Sequence, residues 1–323
     1  MSTDARDDLS RGAAGADRAP AGIGLTTKRR PSATASERRL GFLLLSPALV
    51  LIILVAVVPI GLAVYYSLFS TSYLTVRDFV GFKNFADLFS SPRFHNALIV
   101  SLKYVIGSLA LALLIALPLA ASLTGAGRAT SVLRAIVFLP WVISQVVTAL
   151  LWVWMLNPSF GPISAMLAAF GIPPLEMLSS PGTAIVAIVI ANVWATYPLA
   201  TVLLLAAMQS VPDELYDAAA VDGCGPWRGF LHVTIPGIRS ALAMTAINLT
   251  VYYFNMVTLI YTMTGGGPLR STETIALNIY LEAFVNNRLS TASAYGVIAL
   301  LLNIVFAVSY IRVLRGVAEE GAK

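Results

Sequence analysis

The chain has 323 residues, of which 58% are hydrophobic and only 11% are charged, whereas soluble domains average about 25% charged residues. A soluble fold of this length could not bury so much apolar surface. The formal net charge is +5, but the basic residues flank apolar stretches, which excludes a nucleic-acid-binding face. Several of these stretches reach about 20 nearly uncharged residues, the length of a membrane-spanning helix. We therefore predict an all-α polytopic membrane protein.

The chain begins with a polar segment, residues 1–39, that is rich in Ala, Gly, Ser, Thr, Pro and Arg. With so few large apolar side chains it cannot bury a core, so we predict a disordered tail. The apolar run that follows comes too late and is too long for a cleavable signal peptide. Residues 316–323 are predicted to form a second, short tail.

Six apolar segments between these tails are predicted to be membrane-spanning helices. Their approximate ranges are 40–68, 98–122, 135–156, 183–209, 240–262 and 291–311. If the N-terminus is cytoplasmic, the inner segments contain fifteen Lys and Arg residues and the outer segments five. The positive-inside rule therefore predicts that both termini and the polar segment 210–239 are cytoplasmic.

The predicted spans contain no Asp or Glu, although such residues usually mark proton relays and ion-coupled carriers. A proton-driven carrier is therefore disfavoured, whereas sodium coupling through backbone and hydroxyl ligands stays open. The chain also lacks a Walker A loop, because none of its four lysines follows a glycine. No catalytic or metal-ligand spacing emerges either. We expect a non-enzymatic chain that binds no cofactor or metal, so any ATP-driven transport needs another polypeptide.

Neutral polar side chains are what the predicted spans contain instead. Aromatic rings stack on apolar C–H faces and amides bond hydroxyls, which is the chemistry that holds a neutral polyol. The alternatives are that such residues hold helices together or lie in the interfacial aromatic belt. The residues at mid-span or slightly outward are Asn192, Tyr252, Tyr253 and Asn255.

Residues 210–239 form a polar segment between two predicted spans. Pro212 and the acids that follow it favour the start of a helix, and Glu214 and Asp217 share one face of that helix. The glycine at 223 predicts a turn, after which a second short run ends at Pro236. One interpretation is simply a solvated helix in a loop.

The same segment resembles the EAA loop of bacterial ABC-importer permeases, in which Glu-Ala-Ala is followed by a glycine and later by Ile-x-Leu-Pro. Here the corresponding residues are Asp217-Ala218-Ala219, Gly223 and Thr234-Ile235-Pro236. A second string, TGGGP at 264–268, is followed by Ser271-Thr272 and by Tyr280-x-x-Ala283-Phe284. It resembles the first of the two permeases in carbohydrate importers of the maltose and glycerol-phosphate type.

This resemblance covers residues 40–315 and implies a type I importer permease with a MetI-like core and cytoplasmic EAA coupling helices. It implies a second homologous permease as heterodimer partner, two ATPase subunits that bind ATP and Mg²⁺, and an external solute-binding protein. The coupling residues it implies are Glu214, Asp217, Ala218, Ala219, Asp222, Gly223 and Pro236. The solute positions it implies are Asn192, Thr196, Tyr252, Tyr253 and Met256, with Asn255 adjacent.

The sequence thus predicts a multi-pass permease of a bacterial inner membrane that forms half of a carbohydrate pathway. Leu199, Tyr253 and Met256 depart from the maltose-type pattern, so the resemblance implies a carbohydrate without implying maltose. The first alternative is a permease for glycerol phosphate or another solute, although a helix N-terminus or the partner would then supply the positive charge. The second is a stand-alone carrier or channel.

Overall fold

The computed structural model describes residues 35–72, 75–125 and 127–320. The helices of the first half are α1 (Ala35–Ile52), α2 (Val58–Ser67), α3 (Lys83–Phe89), α4 (Pro92–Ser122), α5 (Arg128–Val142), α6 (Gln145–Met155) and α7 (Pro162–Ala169). Those that follow are α8 (Pro181–Met208), α9 (Asp213–Val221), α10 (Pro226–Gly229), α11 (Ile235–Gly237), α12 (Arg239–Phe254), α13 (Thr258–Thr264), α14 (Ile275–Tyr280) and α15 (Leu289–Glu320). Turns of π-helix occupy Ile53–Val57, Phe230–Thr234 and Leu281–Val285.

The described residues form two compact units, which meet in the sequence between Leu54 and Val55. In the first unit, α1 begins at Ala35, so residues 35–39 are helical and the predicted tail is too long by that much. The reason is local, since Ala, Glu and Arg are strong helix formers. The remainder of that tail, residues 1–34, lies outside the described residues. From Leu43 to Leu54 the apolar side chains are exposed, as in a helix that faces lipid.

The membrane-spanning segments of the structure differ from the predicted ones at two places. In the described part of the chain, four helices are long and apolar enough to cross a membrane. Two further pairs of helices are bent, and the number of candidate spans rises to six if each pair counts as one span. Within predicted span 135–156, α5 and α6 meet at an angle of 95°. The backbone is extended at Ile143, where α5 ends, and at Ser144, whose Oγ accepts a hydrogen bond from the Val147 amide and so caps α6.

The second difference falls in predicted span 240–262. There α12 ends at Phe254 and α13 begins only at Thr258. The Asn255 side chain donates to the Val251 carbonyl oxygen at 2.7 Å, a local bond that competes with helix continuation. Preceding this helix, the Pro226–Gly237 segment meets it at 71°. At the C-terminus α15 continues to Glu320, so residues 316–320 of the predicted tail are helical, and 321–323 lie outside the described residues.

The core forms where α4 packs along α8. Both helices present a stripe of alanines that are essentially inaccessible to solvent, among them Ala112 and Ala116 on α4 and Ala187 and Ala191 on α8. Small side chains let helix backbones approach closely without a driving force from water. Because α4 and α8 pack closely, the polar residues of α8, among them Asn192 and Thr196, are buried inside the second unit.

A short antiparallel hairpin departs from the predicted all-α architecture. It pairs β1 (Phe69–Ser72) with β2 (Thr75–Phe79), with an irregularity in register between Phe69 and Thr71. The Asn84 amide donates to the Phe69 carbonyl oxygen at 3.0 Å, and Thr71 lies 3.1 Å from the Ser290 hydroxyl. These bonds fix the hairpin at the end of the unit where α4 and α15 begin. We call this the hairpin end.

Candidate solute pathway and coupling loop

A buried polar cluster links α8 to α12. The Thr196 hydroxyl lies 2.9 Å from the Tyr253 hydroxyl and 2.7 Å from the Asn192 carbonyl oxygen. Asn192 itself is completely buried, yet neither atom of its side-chain amide has a hydrogen-bond partner among the described residues. Three of the predicted solute positions therefore lie together in the interior.

Residues of α4 and α6 complete this cluster. The Tyr104 ring packs edge-on against Tyr253 with centroids 6.4 Å apart, and the Gln145 amide donates to the Tyr252 hydroxyl at 3.0 Å. Buried atoms without a partner in the described ranges also include the Tyr104 hydroxyl, the Ser108 hydroxyl, Gln145 Oε1 and the Thr148 hydroxyl. The sequence prediction omitted α4 from the pathway, although Tyr104 and Ser108 are polar residues within an apolar span.

So many unpartnered polar atoms are unusual in a folded interior, because each costs about 1–3 kcal/mol. Groups of this kind are normally satisfied by water or by a ligand. The members of the cluster are hydroxyls and amides, without a charged side chain. Such a set can donate to and accept from a neutral, hydroxyl-rich molecule.

The other three predicted solute positions are placed differently. Asn255 is exposed, and its amide is engaged with the Val251 carbonyl oxygen and, at 3.5 Å, with Asn303. Met256 is buried in the apolar core. Tyr252 is partly exposed beside Tyr253. These residues border the cluster rather than forming its centre.

The polar segment 210–239 folds as two helical arms joined by a glycine turn, and we call it the coupling loop. The first arm is α9, and the second runs from α10 to α11. Gly223 has φ +77°, a left-handed conformation, and its amide donates to the Ala220 carbonyl oxygen at 3.1 Å. The Tyr216 hydroxyl lies 3.0 Å from the Thr234 hydroxyl and joins the arms. The turn is therefore stabilised by a backbone hydrogen bond within it and by a side-chain contact between the two arms.

The predicted coupling residues are mostly on the free surface of this loop. Those with exposed positions are Glu214, Asp217, Ala218, Asp222, Gly223 and Pro236, while Ala219 is half-buried. Large apolar side chains are exposed beside them, among them Val221 at 88% and Trp227 at 71%. On the opposite side, a cavity of about 800 Å³ separates the loop from the ends of α4 and α8. The loop thus presents an acidic and apolar surface away from the bundle.

An ionic cluster at the hairpin end was not predicted. Arg93 donates from Nε to Glu273 Oε1 at 2.8 Å and from a terminal nitrogen to Glu282 Oε1 at 2.5 Å. Both glutamate side chains are at most 4% exposed. In the sequence Arg93 is one of the five basic residues of the predicted outer segments, and its partners lie about 180 residues away. Elsewhere in the described ranges, no group of three or more His, Cys, Asp or Glu side chains is arranged to hold a metal ion.

The family model described as "binding-protein-dependent transport system inner membrane component" matches residues 112–318. This range covers well over half of the chain and includes the coupling loop. The chain belongs to this family. As a member, it is an inner-membrane permease component of an ABC importer, as the sequence motifs predicted.

Relatives of this permease extend over almost its whole length. It is 31% identical over 278 residues to the trehalose/maltose transport system permease protein MalF of Thermococcus litoralis, covering 86% of this chain and 94% of the relative. It is 32% identical over 282 residues to the sn-glycerol-3-phosphate transport system permease protein UgpA of Escherichia coli, covering 87% and 95%. A third relative is the sulfoquinovosyl glycerol transport system permease protein SmoG of Agrobacterium fabrum, 30% identical over 289 residues, covering 86% and 91%.

Solved structures share the fold of this permease. A chain of a bacterial alginate ABC transporter, crystallised in complex with an alginate pentasaccharide-bound periplasmic protein, matches with a TM-score of 0.73. The match covers 85% of this chain and 93% of the other, at 23% sequence identity. The predicted helical ABC-importer permease fold is thereby confirmed.

Proposed function

We propose that this permease forms half of the translocation pathway for a neutral carbohydrate, delivered by an external binding protein and driven by separate ATPase subunits. The observation that carries the proposal is the exposed coupling loop in a chain of this family. The glycine turn and the Tyr216–Thr234 contact join the two arms of the loop, so a force applied to it would pass to the helices on either side. A second homologous permease is expected to supply the other half of the pathway.

The coupling surface is proposed to be the exposed face of α9 with the turn that follows. It combines Glu214 and Asp217 with the exposed Val221. An apolar side chain at the centre of a polar rim is the usual composition of a protein–protein contact. ATP and Mg²⁺ would bind to the ATPase and not to this chain.

We infer six membrane crossings and cytoplasmic termini, with α5 and α6 counted as one crossing and with another formed by α12 without the Pro226–Gly237 segment of the coupling loop. This assignment rests on the distribution of Lys and Arg and puts the coupling loop in the cytoplasm and the hairpin end outside. The single cysteine, Cys224, is half-buried in the coupling loop and provides a native probe. A membrane-impermeant maleimide should label it in inverted vesicles and leave it unlabelled in right-side-out vesicles. Labelling from the outside would reverse the inferred orientation.

The preference for a neutral solute is supported by the interior cluster. Its hydroxyl and amide groups match a polyol, and it includes two aromatic rings, Tyr104 and Tyr253, of the kind that pack on sugar C–H groups. The relation to a glycerol-phosphate permease makes sn-glycerol-3-phosphate the second candidate. Competition in an uptake assay separates them, because a phosphate should fail to displace a sugar from a cluster without cationic side chains.

Replacement of Asn192 distinguishes a pathway role from a structural one. Asn192→Leu removes two amide atoms that have no partner among the described residues, so we expect unchanged or higher thermal stability. If the amide bonds the solute, uptake should nevertheless fall by about tenfold or more, the equivalent of a lost hydrogen bond of about 1.4 kcal/mol. Both quantities are measurable on the reconstituted transporter.

Thr201→Val is the matched control on the same helix. Thr201 is equally buried, but among the residues that the structure describes its hydroxyl bonds only to the Tyr197 carbonyl oxygen, at 2.8 Å. This variant should retain uptake. A destabilised Asn192→Leu variant with normal uptake per folded molecule would assign Asn192 to packing.

A further inference from the structure

One side of α12 is both exposed and polar. Within residues 241–255, the exposed side chains are Met244, Asn248, Tyr252 and Asn255. They follow one another at intervals of three or four residues, which places them on one side of the helix. The other sides of α12 pack against α4, α8 and α15. We call this exposed set the α12 stripe.

Asn248 lies near the middle of the membrane-spanning part of the chain. It follows Arg239, the first residue of α12, by nine residues, which is about 14 Å along the helix axis. The hydrocarbon core of a bilayer is about 30 Å thick. One helical turn further along, the Tyr252 hydroxyl accepts a hydrogen bond from the Gln145 amide at 3.0 Å. The α12 stripe therefore presents hydrogen-bonding groups at a depth where lipid offers none.

The exposed side of α15 has a different composition. Between residues 301 and 308, its exposed side chains are Leu301, Ile304, Val305 and Val308, which is typical of a helix that faces lipid. An amide in hydrocarbon without hydrogen-bond partners is energetically unfavourable. The α12 stripe is therefore a poor lipid-facing surface, although the same chain builds a good one on α15.

Close packing against a helix of the second permease does not suit the α12 stripe either. Where helices of this chain pack tightly, as α4 does on α8, the contact is built from alanines, because small side chains let backbones approach. The long side chains of the stripe would keep a neighbouring helix at a distance. A water-filled space that admits a hydroxylated solute suits them better, because an amide both donates and accepts hydrogen bonds.

We propose that the α12 stripe is the wall along which the solute passes, and that Asn248 binds solute hydroxyls one turn closer to the cytoplasm than Tyr252. The inference rests on the proposed function, since the second permease closes the pathway opposite the stripe. The stripe is continuous with the buried cluster, because the Tyr252 and Tyr253 rings lie 6.0 Å apart and Tyr253 contacts Thr196. Unlike Asn192, Asn248 is exposed, so a solute reaches it without rearrangement of the helices.

Thiol accessibility in the assembled transporter, held in lipid nanodiscs, tests this proposal. Asn248→Cys is made in a Cys224→Ser background, so that its thiol is the only one on this chain. The probes are a permanently charged methanethiosulfonate, which reacts from water, and pyrenylmaleimide, which partitions into lipid. Because the reactive thiolate forms in water and not in an apolar environment, we expect the charged probe to modify Asn248→Cys about tenfold faster than Ile304→Cys. Ile304 is the matched control, since it is exposed on α15, eight residues before Arg312.

Two results of this comparison would overturn the proposal. Modification of Asn248→Cys by pyrenylmaleimide alone, as expected for Ile304→Cys, would make the α12 stripe a lipid-facing surface. Protection of Asn248→Cys from both probes in the assembled transporter, but not in the permease reconstituted alone, would make the stripe a contact with the second permease.

Sugar uptake tests the role of the Asn248 amide itself. Asn248→Leu should lower uptake by about tenfold, the effect of one lost hydrogen bond, with assembly unchanged. Asn248→Gln keeps the donor and the acceptor and should retain most of the uptake. Equal uptake by the two variants would contradict a solute contact at Asn248. A lack of ATP-driven uptake by the unaltered transporter would instead count against the proposed function, whereas the accessibility of the α12 stripe is measured without transport.

Discussion

Gly223→Pro is expected to reduce uptake to background while leaving membrane insertion intact. Proline fixes φ near −65°, whereas Gly223 has φ +77°. Proline also removes the amide that donates to the Ala220 carbonyl oxygen at 3.1 Å. The turn between the two arms of the coupling loop must therefore rearrange, and the exposed face of α9 changes direction. The change is local, so the membrane helices should still insert, which protease protection in vesicles can confirm alongside the uptake assay.

Two controls separate the backbone requirement from simple bulk. A Cβ atom added at Gly223 would meet open space, so Gly223→Asn, which tolerates the left-handed region, should keep most of the activity. Gly225→Ala should be neutral, because Gly225 has φ −70° and also faces open space. Normal uptake in Gly223→Pro would show that the turn carries no coupling function.

Arg93→Leu is expected to lower the free energy of unfolding by about 3–5 kcal/mol, the typical cost of leaving a buried charge without its partner. Here one guanidinium serves both Glu273 and Glu282, whose side chains are almost completely buried. The expected result is a clear fall in the thermal unfolding midpoint of the purified permease. Arg77→Leu, at an exposed position of β2, should leave the midpoint unchanged.

Removal of the two glutamate charges as well should restore the stability that Arg93→Leu loses. In the triple variant Arg93→Leu, Glu273→Gln and Glu282→Gln, no buried carboxylate is left uncompensated, so the unfolding midpoint should recover substantially. An unaltered midpoint in Arg93→Leu alone would show that water or lipid headgroups already compensate these glutamates. The cluster would then contribute nothing to holding the segment after α13 against α4.

The sequence predicted the membrane helices well where composition alone decides them. Span 183–209 matches α8 (Pro181–Met208) within two residues, because a long uncharged run has few alternatives in a membrane. The prediction of helix ends failed where a single polar side chain interrupts an apolar run. The Ser144 side chain caps the start of α6 and the Asn255 side chain bonds to the last turn of α12, and hydropathy does not register such bonds.

The candidate site was predictable in its local parts only. The turn at Gly223 follows from the glycine itself, and the helix after Pro212 follows from the proline and its acids. The contributions of Tyr104 and Ser108 to the interior cluster could be predicted only by knowing that α4 packs on α8. The pairing of Arg93 with Glu273 and Glu282 joins segments that are far apart in the sequence. Long-range pairing leaves no periodic signal in the chain.

The measurement that tests the central claim most directly is sugar uptake into proteoliposomes, with and without the ATPase. This permease, reconstituted with its second permease, the ATPase subunits and the external binding protein, should accumulate sugar only in the presence of ATP. The permease reconstituted alone should transport none. Equal sugar uptake by this chain as a homo-oligomer, without any ATPase, would contradict the account and identify a stand-alone carrier or channel.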